Sequence, residues 1–70
     1  MHPLAIYRAE HGLTQESLAI QLRVGKNTVS RWEAGVRKIR LSKVVAISLV
    51  TGIPVGVLRP DLAKIMAGME

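Results

Sequence analysis

From Gln15 to Ala34, the apolar residues Leu18, Ala19, Leu22, Val24, Val29 and Trp32 fall where two short helices would meet across a three-residue turn. Between the last of them lie Lys26, Asn27, Thr28, Ser30 and Arg31, a run of long or hydrogen-bonding polar side chains. Closing the apolar set into a small core turns the polar set outward on one helix face. An outward face of amide, hydroxyl and guanidinium groups suits the edges of base pairs in a DNA major groove. The pattern points to sequence-specific binding of double-stranded DNA.

The same patterning divides the rest of the chain. Pro3 suits the first turn of a helix, where its missing N–H is not needed. Leu4, Tyr7, Arg8 and His11 then share one face, and Gly12 supplies a stop. Thr14 is a good N-cap for a second helix, Gln15 to Leu22. Arg23 and Val24 form the turn, Gly25 caps a third helix from Lys26 to Glu33, and Gly35 ends it. A basic loop, Val36 to Arg40, leads to a fourth helix from about Leu41 to Val50, with Val44, Ile47 and either Leu41 or Val50 facing inward. Gly52 and Pro54 precede a short fifth helix, Val55 to Leu58. Pro60 and Asp61 start a final amphipathic turn or two, with Leu62, Ile65, Met66 and Met69 on one side. With no strand-like alternation, repeat or long linker, the expectation is an all-α, compact five-helix fold. It forms one domain over 1–70, with a core at 4–58 and a C-terminal extension at 59–70.

Composition narrows the function classes. Seventy residues allow one small domain of modest burial. Without cysteine there is neither a disulfide framework nor a thiolate metal site, and His2 and His11 are too isolated to suggest zinc. No cofactor is expected. No apolar run reaches the roughly 18 residues of a membrane span, and no signal peptide opens the chain, so the expected location is cytoplasmic, with no membrane partner. The charge of +5 is concentrated. Arg23, Lys26, Arg31, Arg37, Lys38, Arg40 and Lys43 stand against Glu33 alone, giving +6 there and −1 over the remainder. A basic block centred on one element is the electrostatic footprint of a nucleic-acid surface, although a solvated basic face would look similar.

The stretch Leu13-Thr14-Gln15-Glu16-Ser17-Leu18-Ala19, followed by Thr28-Val29-Ser30-Arg31-Trp32-Glu33-Ala34-Gly35, resembles the Cro/repressor-type (XRE-like) helix-turn-helix family of phages and bacteria. The resemblance covers about Leu4 to Leu58 and implies a lambda-repressor-like domain. The ending Thr51-Gly52-Ile53-Pro54 with Leu58-Arg59-Pro60-Asp61-Leu62 is similar to the smaller Cro-like and antitoxin-like members. The family pattern implies that Lys26, Asn27 and Arg31 read bases, that Ser30 meets either base or backbone, and that Thr28 meets the backbone. Gln15, with Thr14 at the same helix start, would hold a phosphate, and Arg8 with Glu33 would form an internal salt bridge. Arg40 follows the loop where related proteins approach the minor groove. The turn position of Arg23 is usually glycine in this family, because the chain there takes positive φ.

Arg37, Lys38 and Lys43 read as phosphate contacts rather than base readers, because a loop holds side chains less rigidly than a helix. For Lys43 a solvated charge is nearly as good a reading, and Arg40 is counted among the phosphate contacts on the resemblance. Trp32 and Tyr7 read as core, and His11 carries no chemistry. One such domain contacts few base pairs, so a homodimer, at least on DNA, is expected to read a near-palindrome. The stripe Leu62, Ile65, Met66 and Met69 is the candidate dimer contact, or else it folds back on its own core. The leading expectation is a short transcription regulator, a Cro-like repressor of phage or prophage type with no sensing domain. The alternative is an antitoxin or adaptor that binds a protein partner through that stripe. An enzyme is disfavoured, since no nucleophile–base set, phosphate-binding glycine loop or carboxylate pair is present.

Overall fold

The computed structural model describes residues 1–62 and Lys64. All regular structure among them is helical: α1 (Pro3–His11), α2 (Gln15–Leu22), α3 (Lys26–Glu33), α4 (Leu41–Thr51) and α5 (Val55–Leu58), with a further helical turn at 60–62. The chain divides into two compact units, Met1–Lys38 and the part from Ile39 onward.

In the first unit each helix begins and ends for a local reason. Pro3 stands at the start of α1, and the extended residue before it, His2, accepts the Leu4 N–H on Nδ1 at 3.1 Å. Gly12, at φ 64°, closes α1 and lets the Leu13 N–H reach the Arg8 carbonyl at 2.9 Å. Thr14 Oγ1 accepts the Ser17 N–H at 3.0 Å and so caps α2. The other end of α2 closes in the same left-handed manner as α1, but on Arg23 (φ 58°, ψ 43°), with the Val24 N–H donating to the Ala19 carbonyl at 3.0 Å. A non-glycine residue held there costs on the order of 1 kcal/mol. The three residues Arg23 to Gly25 carry the chain into α3, whose inward side holds Val29 and Trp32. These two bury together with Leu4, Leu18, Ala19 and Leu22 as the core of the unit. Tyr7 departs from expectation: it is half-buried, and its ring lies against His11 with centroids 4.1 Å apart.

The His2 cap makes the first turn of α1 sensitive to pH. Burial lowers the His2 pKa from its ordinary 6.5; Glu33 opposes that shift and the N-terminal amine adds to it. The unfolded chain therefore takes up the proton first as pH falls. The cap contribution is complete above about pH 6.5 and is lost as pH drops through the lower folded value. Asparagine caps without titrating, so His2→Asn is expected to flatten this part of the stability–pH curve, by about 1 kcal/mol at most. An unaltered curve in denaturant titrations would exclude His2 as its source.

The second unit has a smaller core: Ile39, Val44, Ile47 and Leu58. Gly52 (φ 78°) ends α4, and the Thr51 hydroxyl donates to the Ile47 carbonyl at 2.7 Å while accepting the Ile53 N–H at 3.2 Å. The Arg59 guanidinium reaches the Ile39 carbonyl and also pairs with Asp61 through Nη2 at 2.7 Å, tying the start of this unit to the end of α5. Two expectations fail here. Leu41 and Val50 are both exposed, because Val44 and Ile47 with the half-buried Ser48 and Thr51 already fill the inward arc of α4. Ile39, placed by the sequence reading in a basic loop, is buried. Of the C-terminal stripe, Leu62 is half-buried, and Ile65, Met66 and Met69 lie outside the described residues.

Candidate nucleic-acid interface

The site is built on α3. At about 100° per residue, burial of Val29 and Trp32 fixes one side of this helix and sends Asn27, Ser30 and Arg31 to the opposite arc. Lys26 and Thr28 fall at the two edges of that arc. Lys26, Asn27 and Arg31 are exposed, and Ser30 and Thr28 are half-buried. Among the described residues, no side-chain hydrogen bond or ion pair engages Lys26, Asn27 or Arg31. Their donors and acceptors therefore face solvent, with no internal partner to break before they meet a ligand.

A polar hub fixes α3 against the two helices before it. Glu33, at the end of α3, receives the Arg8 guanidinium in a two-pronged contact, Nε to Oε2 at 2.6 Å and Nη2 to Oε1 at 2.7 Å. Arg8 Nη1 donates to the Leu13 carbonyl at 3.2 Å, and Gln15 Nε2 donates to Glu33 Oε1 at 3.2 Å. The pair implied by the family resemblance is thus present and partly buried. The Arg8 hydrogen bond holds the Glu33 carboxyl below the usual carboxylate range; burial opposes it, and Gln15 adds to it. In consequence, the start of α2 and the end of α3 are held by one ionised carboxylate.

The remaining predicted residues lie as follows. Gln15 is half-buried and gives one N–H to Glu33, leaving the second on the same nitrogen. The Thr14 hydroxyl serves as the α2 cap and donates to Ser17 Oγ at 2.9 Å. Arg37 and Lys38 are exposed on the segment after α3. Arg40 belongs to the second unit, where it is exposed at the N-cap of α4. Among the described residues no group of His, Cys, Asp or Glu is placed to hold a metal ion, and no helix is long and apolar enough to cross a membrane.

A family model described as helix-turn-helix matches residues 4–58. The chain belongs to the Cro/XRE-type helix-turn-helix family. This helix-turn-helix protein is accordingly a DNA-binding transcription regulator, of a family that is typically non-enzymatic. No curated protein and no solved structure matches it. In this family member, α2 and α3 are the helix pair and Arg23 to Gly25 the turn. The matched residues are those over which the family resemblance runs. His2 and Arg59 were missed as structural residues. A histidine cap is outside the usual Ser/Thr/Asp/Asn set, and the Arg59 contact with Ile39 spans twenty residues without any periodic signal.

Proposed function

We propose that this regulator is a Cro-like repressor that occupies a near-palindromic operator as a dimer. The observation that carries the reading is the outward arc of α3, where Asn27 and Arg31 are exposed opposite Val29 and Trp32 and have no side-chain partner among the described residues. With α3 in the major groove, Arg31 donates two hydrogen bonds to guanine O6 and N7, and Asn27 pairs with adenine N6 and N7. Lys26 reaches guanine or a phosphate, and Ser30 contacts a base edge or the backbone.

Phosphates are held around this arc by Thr28, by Arg37 and Lys38, and by the start of α2. There the free N–H groups and the second Gln15 N–H favour an anion. Thr14 contributes mainly through the capped geometry, since its hydroxyl is already engaged. Arg40 is proposed as a separate backbone contact from the second unit. Repression follows from occupancy, because a bound dimer excludes other proteins from the same stretch of DNA. No cofactor enters this scheme.

Selection from a randomised duplex pool, carried out at two salt concentrations, tests the reading. An enriched near-palindrome with half-sites about one helical turn, or about 34 Å, apart is the expected result. Salt-sensitive binding without enrichment would reduce the contact to a generic electrostatic one. It would then favour a role in binding a protein partner.

A further inference from the structure

We infer that the outer face of α4 is the seat of a second copy of this chain, an assignment that rests on the dimeric reading above. Leu41, Val45 and Leu49 form one row along this helix at a spacing of four, and Ser42, Ala46 and Val50 form the row beside it. All six are exposed, Leu49 to 82%, Leu41 to 63% and Val45 to 55%. Lys43, the one charged residue of α4, borders this arc just beyond Val50. About half the circumference of the helix is therefore uncharged, largely apolar and uncovered, whereas a helix apolar on all sides is ordinarily buried.

Three features choose a second copy over other occupants. The first row reads Leu, Val, Leu and is symmetric about Val45. Antiparallel packing around a twofold axis sets Val45 against its own copy and each Leu41 against the other copy's Leu49, so every apolar group meets another under one operation. Rows spaced by four on both helices give the commonest class of helix packing. Charge is the second feature. This face carries no cation to draw a phosphate, and two chains of +5 each repel least where neither presents charge.

Area is the third. The exposed parts of Leu41, Val45, Leu49 and Val50 present on the order of 300–400 Å² of apolar surface. A standard interface takes about 800 Å² per partner, slightly more than half of it apolar. The face thus supplies nearly the apolar core of a small interface, which implies a weak, concentration-dependent dimer. Leu62, the one described residue of the C-terminal stripe, is half-buried.

The chain has no cysteine, so Val45→Cys introduces a unique thiol on the inferred axis. Mild oxidation of the 70-residue V45C chain is expected to give a disulfide-linked dimer, while Glu10→Cys on α1 stays monomeric. In sedimentation equilibrium the parent chain should move from monomer to dimer with concentration. V45E should associate at least about tenfold more weakly, because like charges then face each other. Ile65→Glu should associate as the parent does.

The inference is overturned if V45E associates like the parent, if only I65E loses the dimer, or if the parent stays monomeric at every concentration. Capture of a different protein by this face in place of a second copy would overturn it too. Val45 is exposed, so V45E should keep the parent's helical circular dichroism; if it does not, the V45C cross-link decides. Failure to enrich an operator would remove the repressor reading and leave the sedimentation result standing, so the two failures are separable.

Discussion

Glu33→Gln is expected to lower stability by about 2–3 kcal/mol at neutral pH. The substitution keeps the shape of the side chain but replaces one acceptor oxygen with an NH₂ group facing the Arg8 guanidinium. Donor then meets donor, and a partly buried cation loses its counter-charge. Breaking a fully buried pair costs about 3–5 kcal/mol. The lower figure applies here because the Arg8 side chain keeps 22% of its exposure, against 8% for Glu33. For a domain of this size each kcal/mol moves the midpoint by about 4–8 °C, so the thermal midpoint should fall by roughly 10–20 °C.

The pH dependence gives an independent check. The folded pKa of Glu33 is depressed, so as pH falls the unfolded chain binds the proton before the folded one does. The pair's contribution is complete above the ordinary carboxylate value of 4.5 and disappears as pH falls through the lower folded value. Denaturant titrations of the parent and of E33Q should therefore differ widely at neutral pH and converge in acid. A gap of constant size would show that the variant perturbs packing rather than charge.

Arg31→Ala should reduce discrimination at one base pair of each half-site by about 1–3 kcal/mol, the worth of a good bidentate contact. The diagnostic quantity is the pattern across sequences. Affinity for the preferred operator should fall, whereas affinity for operators altered at that base pair should change little. Arg31→Lys should behave much like the alanine variant in specificity, since a single ammonium cannot engage guanine O6 and N7 together. Equal weakening on every duplex would reassign Arg31 to the phosphate backbone.

How much of this was legible in the sequence depended on the range of the signal. The helix pair and its turn were readable because their determinants are local. Thr14 caps three residues on, Gly12 and Gly35 close helices beside them, and Val29 and Trp32 orient α3 by spacing alone. The Arg8–Glu33 pair spans twenty-five residues and was reachable only through the family pattern. On α4 the apolar residues are too dense for periodicity to choose a side, so Leu41 and Val50 were candidates for the inner face when both are exposed. Ile39 was hidden among basic neighbours, and Tyr7, which shares a helix face with Leu4, read as core although it is half-buried with its ring against His11. The exposed polar arc of α3 was legible as a face, because a helix exposes what it does not bury.

The left-handed turn at Arg23 places two selective pressures on one codon. Glycine there would relieve about 1 kcal/mol of backbone strain, less the entropy it restores to the unfolded chain. It would also delete one of the seven cations between Arg23 and Lys43. Directed evolution for heat resistance alone is therefore expected to return Arg23→Gly early. The resulting protein should melt higher and hold DNA more loosely at low salt, a trade-off confined to one residue of the turn.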